Sequence, residues 1–263
     1  MRLRDHEALR EAESLSYMLG GGEARLLFVA PHDDDAVLGS GMLLRAARNE
    51  GLEAHVVVVT DGRMGYCRLE DRDDIVGIRR RETETAMKAL GGPYLHFLDY
   101  PDCDLDRHTG RRRALEPHPA AEAGHTGLQN SFTALLRRLT PTHVVVPTGA
   151  DYHPDHQCVH RELLISLFHA YGTVWPELGT PLQGLPRLYE SAVYCDFPAP
   201  PTVQLEGDAA LFEAKLTALE AYTSQEQIAA LVTGVRDAGP FEYFREAPFT
   251  LYDSRRHRHR FSE

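Results

Sequence analysis

Two short runs of this chain are dense in side chains that hold cations or move protons. The first is "PHDDD" at residues 31–35, and the second is "DYHPDH" at residues 151–156. Three adjacent carboxylates repel one another, and burying them is costly unless positive charge lies beside them. Imidazole nitrogens and carboxylate oxygens together suit zinc or iron, and a catalytic zinc site takes three such ligands while keeping one position for water. His32, one carboxylate of the triplet and one histidine of "HPDH" would supply that set. A further aspartate could take the water's proton, and a further histidine could stabilise an oxyanion. Each run alone has a plainer explanation: "DDD" as a solvated turn or helix N-cap, "HPDH" as a polar loop. Their placement therefore matters more than their composition.

Each run directly follows a segment that reads as a buried strand. "ARLLFVA" and "EAHVVVVT" are continuous apolar runs of strand length, without the alternation of a half-exposed sheet, and "YLHFLDYPD" and "THVVVPT" read as further strands. Between them lie the helical patterns "AVLGSGMLLRAARNEG", "IVGIRRRETETAMKALGG" and "SFTALLRRLTP". The alternation predicts an α/β fold: a Rossmann-like, doubly wound, mostly parallel sheet with a C-terminal extension. In such a sheet the ligand crevice lies at the carboxyl ends of the strands, so both His/Asp runs are expected on one edge. After "DYHPDH" the run "QCVHRELLISLFHAYG" reads as a helix, "LPRLYESAVYCDF" contains a strand, and "DAALFEAKLTALEAYTSQEQ" is a long helix. The N-terminal "DHEALREAESLSYML" has helical spacing that Gly20, Gly21 and Gly22 would end. No repeat is seen. The expectation is one domain over 1–263, with residues 24–160 as the core carrying the metal site and 161–263 shaping the pocket.

Composition narrows the function classes. The 263 residues carry a formal charge of −11, which disfavours a nucleic-acid binder driven by phosphate neutralisation. No signal peptide and no span of membrane length is read, so a cytoplasmic protein is expected. Whether it forms a homo-oligomer is left open. The four cysteines form no CxxC pair, which argues against a thiolate zinc site. "GSGMLL" lacks the third glycine of a dinucleotide fingerprint, so Gly39 and Gly41 are read as allowing close packing of a helix on the sheet. There is no P-loop and no GxSxG elbow. The closing "RRHRHR" reads as a solvated tail, with a patch at the substrate edge as the alternative.

The motifs resemble those of the LmbE-like, or PIG-L, deacetylases. The family pattern "PHPDDE" followed by "VLG" appears here as "PHDDDAVLG". The likeness continues through "VVVVTDGRMG", "RRRETETAMKALG", "LDYPDCDL", "PTGADYHPDH" and "KLTALEAYTSQEQ". It implies a zinc-dependent hydrolase, with ferrous iron as an alternative metal, that removes the N-acetyl group from an N-acetylglucosamine-containing small molecule or glycoconjugate. Carried over by position, it implies His32, Asp35 and His156 as metal ligands and Asp34 as the general base. It further implies His153 as an imidazolium that stabilises the oxyanion, with Asp155 orienting it, and Arg79 and Asp102 as substrate contacts. Asp33 and Ala36 depart from the family's proline and glutamate, and Asp33 has no implied role. Specificity is expected in the loops 63–74 and 104–130. Two alternatives stand beside this reading. One is a nucleotide-sugar glycosyltransferase using the acidic motif Asp33–Asp35 for a hard divalent ion; the other is a sugar-binding relative without catalysis.

Overall fold

The computed structural model describes residues 1–5, 10–19 and 23–261. In chain order the strands are β1 Arg2–Asp5, β2 Arg10–Ala12, β3 Arg25–Ala30, β4 Glu53–Thr60, β5 Tyr94–Tyr100, β6 Arg112–Arg113, β7 His125–Thr126, β8 His143–Pro147, β9 Arg187–Ser191, β10 Val203–Glu206 and β11 Phe241–Glu246. The helices are α1 Leu15–Met18, α2 Asp35–Asn49, α3 Ile75–Ala89, α4 Leu128–Leu139, α5 Pro154–Tyr171, α6 Ala209–Glu220 and α7 Ile228–Ala238. Nine strands form one sheet in the order β2-β1-β10-β11-β9-β8-β3-β4-β5. From β9 to β5 neighbouring strands run parallel, whereas β11, β10, β1 and β2 continue the sheet antiparallel.

The runs of β3, β4 and β8 become buried strands because both faces of the sheet are covered, whereas β5 at the sheet edge is mostly half-buried. Leu26, Phe28 and Ala30 of β3 join one core with α2 and α6, while Leu27 and Val29 join a second core with α4 and α5. Successive side chains point to opposite faces, so a strand with helices on both sides needs apolar residues at every position. From β3 the chain winds to β4 and β5 on one side, then crosses to β8 and β9 on the other. The reversal falls between β3 and β8, paired from Leu26 opposite His143. A crevice opens beyond the carboxyl ends of strands at such a reversal.

Two features depart from the sequence reading. The helix expected over the N-terminal segment is instead β2 followed by the short α1, with residues 6–9 outside those described. Leu3 and Ala12 sit opposite each other and both enter the first core, so sheet pairing outweighs helical spacing there. The C-terminal part adds β10, α7 and β11, none of which the pattern announces. Arg255, Arg256, His257 and Arg258 of the basic tail are exposed.

Helix α2 is interrupted at Ser40, whose φ of −152° is not helical. The break frees backbone groups in a buried place, and two charged side chains take them up. Glu242 of β11 accepts the N–H groups of Met42 and Leu43, each at 2.9 Å, and Lys215 of α6 donates to the Leu38 carbonyl at 2.7 Å. Lys215 and Glu242 also pair with each other at 2.8 Å. The glycines flanking Ser40 serve this packing differently. A Cβ on Gly39 would lie 2.9 Å from Ser191 Oγ on the sheet, whereas one on Gly41 would lie 3.0 Å from Lys215 Cγ on α6.

Candidate functional site

Both His/Asp runs lie at the reversal. Pro31 carries the chain out of β3, and its carbonyl accepts from the Thr60 N–H and hydroxyl at 3.0 and 2.9 Å. The three aspartates then turn into α2 with separate fates. Asp33 faces α3, where Arg79 Nε donates to it at 3.1 Å and the Thr83 hydroxyl at 3.0 Å. Asp34 sits at the N-cap position, yet its side chain accepts no capping hydrogen bond. Asp35 turns back, and its Oδ2 accepts the His32 N–H at 2.7 Å.

The second run is shaped by Pro154 in the first turn of α5, where a missing N–H costs nothing. His153 caps this helix, its Nδ1 accepting the Asp155 N–H at 3.3 Å. That bond makes Nδ1 an acceptor and leaves Nε2 to carry the proton. Asp151 accepts the His153 N–H at 2.9 Å and the Tyr194 N–H at 3.2 Å, locking the turn before the helix.

Three atoms converge between the runs. Asp35 Oδ2 lies 3.4 Å from His32 Nδ1 and 3.2 Å from His156 Nε2, and the two nitrogens are 3.3 Å apart. Tetrahedral ligands about 2.0–2.2 Å from a zinc ion are separated by roughly 3.3–3.6 Å. His32, His153 and His156 also bring ligand atoms within 4.8 Å of one another, as do His32, Asp102 and Asp155. The other imidazole nitrogens face carboxylates. His32 Nε2 is 3.2 Å from Asp102 Oδ1 and 3.4 Å from Asp155 Oδ2. His156 Nδ1 lies 3.2 Å from Asp151 Oδ2, although off the direction of a hydrogen bond. Carboxylates behind imidazoles are the arrangement that orients metal-binding histidines.

Electrostatics agree with a place for a cation. Burial disfavours charge on His32, but Asp102, Asp155 and Asp35 hold its pKa well above the ordinary value. Burial also opposes charge on His156, which Asp35 overcomes, raising it. Asp35 is itself held below the usual carboxylate range, against its burial, by His156 and His32. Despite burial, His32 and the Met64 N–H draw Asp102 down to about 2. A cluster that pulls protons onto two facing imidazoles is one where a divalent ion can displace them. Asp35 Oδ1 is buried without a hydrogen-bond partner, which adds an open lone pair. The residues present fit a metal ion.

One expectation changes here. The Asp155 carboxylate faces His32 and accepts the Cys103 N–H at 2.9 Å; what fixes His153 is the Asp155 backbone. Burial, then the nearby His32 and His156, lower the His153 pKa. The glycosyltransferase reading finds no support. Asp33 turns to an arginine while Asp35 turns to two imidazoles, so the triplet does not gather as an oxygen cage.

Around this centre lies a cleft of about 140 Å³ lined by His32, Asp34, Arg79, Asp102, His153 and Tyr194 among others. Arg79 is buried in its wall, with Nη2 3.4 Å from Asp34 Oδ1. A larger cavity of about 330 Å³ lies beside the break in α2, remote in character from this histidine cluster. Sequence reasoning missed Asp151, although it stands in the quoted run. It also missed Tyr194, whose ring stacks on His156 at 5.1 Å; nothing local marks that residue. The "YTSQEQ" segment closes the cleft from behind. Tyr222 donates to the Asp33 carbonyl at 2.7 Å, Ser224 N–H and hydroxyl both donate to Glu82 at 2.7 Å, and Gln225 donates to the Gly65 carbonyl at 2.8 Å.

This arrangement defines a His/Asp centre able to hold a metal at the switch point of a doubly wound sheet. A family model described as "PIG-L: GlcNAc-PI de-N-acetylase" matches residues 27–166, more than half of the chain, and the chain belongs to that family. A 1D-myo-inositol 2-acetamido-2-deoxy-alpha-D-glucopyranoside deacetylase of Rhodococcus jostii is 30% identical over 182 residues, covering 64% of this chain and 61% of that protein. The match thus spans less than two thirds of the relative's length. Among solved structures, the conserved protein TT1542 from Thermus thermophilus is similar with a TM-score of 0.67 and 26% identity, covering 88% of this chain and 98% of that one. N,N'-diacetylchitobiose deacetylase from Pyrococcus horikoshii has a TM-score of 0.67 at 22% identity, covering 88% and 86%. GalB, the 4-carboxy-2-hydroxymuconate hydratase of Pseudomonas putida KT2440, shares the fold with a TM-score of 0.66 at 18% identity, covering 88% and 99%. A hydratase beside a deacetylase on one fold means that activity must be argued from the site.

Proposed function

We propose that this protein is a metal-dependent hydrolase that removes the acetyl group from a small N-acetylated amino sugar. The observation that carries the reading is the triangle of His32 Nδ1, Asp35 Oδ2 and His156 Nε2, with sides of 3.2–3.4 Å, beside an uncapped Asp34. His32, Asp35 and His156 would hold zinc, or ferrous iron, since imidazole suits both. An ion there supplies Lewis acidity, polarising the acetyl carbonyl and acidifying water.

Asp34 accepts the proton as the water oxygen bonds to the carbonyl carbon. His153, its Nδ1 engaged by the Asp155 N–H, presents Nε2–H to the oxyanion. Asp34 then returns its proton to the sugar nitrogen as the C–N bond breaks, giving acetate and a free amine. Asp102 and Asp155 hold the His32 ring, Asp151 stands behind His156, and Arg79 steadies Asp34. Asp102 also lines the cleft, within reach of sugar hydroxyls.

Curated relatives named as deacetylases of an acetamido sugar support this substrate class. The test is acetate release from N-acetylglucosamine conjugates by protein of measured metal content. Asp34→Asn should lower kcat by about 10²–10⁴-fold with metal retained. His156→Ala should lose both, and stoichiometric metal in that variant would overturn the ligand set.

A further inference from the structure

Beside the buried triangle stands one ring that is not buried. His156 is 0% exposed and His32 8%, whereas Tyr194 is 53% exposed and lines the same cleft. Its ring stacks on His156, with centroids 5.1 Å apart and planes 28° from parallel, and its centroid lies 6.1 Å from that of His153. The backbone holds it there, because the Tyr194 N–H donates to Asp151 Oδ2 at 3.2 Å. One face of the ring is thus turned to the proposed ligand. With that face covered and the residue still half exposed, the other face is open to the cleft.

Most of the lining is polar. His32, Asp34, Arg79 and Asp102 present charges or ring nitrogens, and Tyr194 is the one Phe, Tyr or Trp among the described lining residues. A pyranose with equatorial substituents carries its hydroxyls on the rim and C–H groups on its faces, so it needs both kinds of wall. The negative face of an aromatic ring attracts such C–H groups and spares them water. The acetyl carbon is two bonds from the sugar ring, about 2.5 Å. A sugar whose carbonyl is held between the triangle and His153 must therefore lie close to a ring that stacks on His156. Tyrosine has only two side-chain torsions, and Asp151 and His156 already restrict this one, so little entropy is lost on contact.

We infer that the open face of Tyr194 is the platform on which the substrate's pyranose ring stacks, so that the cleft selects acetamides carried on a closed sugar ring. This rests on the deacetylase reading for the fate of the bound sugar, and not for the contact itself.

The experiment compares the methyl glycoside of N-acetylglucosamine with N-acetylglucosaminitol, which keeps the acetamide and a chain of hydroxyls but has no ring. Acetate release and saturation-transfer NMR titrations are run on the metal-loaded protein. The wild type should bind the glycoside several-fold more tightly, with transfer strongest to its ring C–H protons. Tyr194→Leu keeps an apolar side chain without a ring and should shrink that preference about 3–10-fold, through KM or Kd of the glycoside. Tyr194→Phe restores the face and should restore the preference. Metal content is measured in each variant. No preference in the wild type, or a preference unchanged in Tyr194→Leu, would overturn the inference. So would a Phe variant as weak as the Leu one, which would point to the hydroxyl instead. An equal loss for both compounds, the mark of a disturbed His156, or binding of neither, would overturn it too. Acetate from neither compound, with the binding preference and its loss in Tyr194→Leu intact, would sink the deacetylase reading and leave the platform standing.

Discussion

At the scale of residues, the site depends on what stands behind the proposed ligands. Asp151 contributes no atom to the triangle, yet its carboxylate sits 3.2 Å from the far nitrogen of His156 and holds the turns of His153 and Tyr194. Asp151→Asn should weaken metal binding about 10–100-fold, with a lesser effect on turnover at saturating metal. Competition with a chelator measures it, and an unchanged affinity would remove Asp151 from the metal's support. A second residue-scale outcome concerns stability. Burial, aided by Arg187, lowers the pKa of His143 to about 4. The unfolded chain takes up that proton near pH 6.5, so it binds more protons than the fold between pH 6.5 and 4. The stabilisation is complete above about 6.5 and is lost as pH falls toward 4, by an amount on the order of 1–3 kcal/mol. Denaturant midpoints of wild type and His143→Gln across this window should converge toward acid; parallel curves would contradict it.

At the scale of elements, the break in α2 holds interest because this helix begins at Asp35. A straight helix would need none of the four contacts that Lys215 and Glu242 make around Ser40. Two elements remote in sequence, α6 and β11, thus set the course of the helix that carries Asp34 and Asp35 at its start. Removing one member of a buried pair strands the other charge, so Lys215→Met should cost about 3–5 kcal/mol in unfolding experiments. A loss below about 1 kcal/mol would show the break to be held by apolar packing instead. The strand-end positions of the two His/Asp runs were legible because apolar strand, turn and helix signals are local. β1, β2, β10 and β11 were not, because their identity comes from pairing with one another.

At the scale of the whole molecule, the centre gathers carboxylates from both sides of the sheet reversal and ties them to the C-terminal layer through Tyr222 and Ser224. Without a cation, the repulsion among these groups opposes closure. A metal that binds only the folded chain adds roughly 4 kcal/mol when present at 1,000 times its Kd. Chelation should therefore lower Tm by several degrees, on a scale of about 2–4 °C per kcal/mol for a chain of this size. Zinc returned at one equivalent should restore it, whereas a Tm indifferent to both would argue against a site at this centre. Among the described residues, no helix is long and apolar enough to cross a membrane.

The sequence by itself determined the parallel core, its family and the pair of runs that meet at the reversal, because buried strands and strand-end loops write their constraints into adjacent residues. It could not tell which carboxylate faces which ring. Asp155 and Asp102 turn to His32 and Asp33 turns to Arg79 only through contacts between segments separated by tens of residues, and Asp151 turns to His156 across the first turn of α5. Such choices depend on side-chain direction at the end of packing, where a rotation of one turn position exchanges partners, and only the tertiary structure decides them.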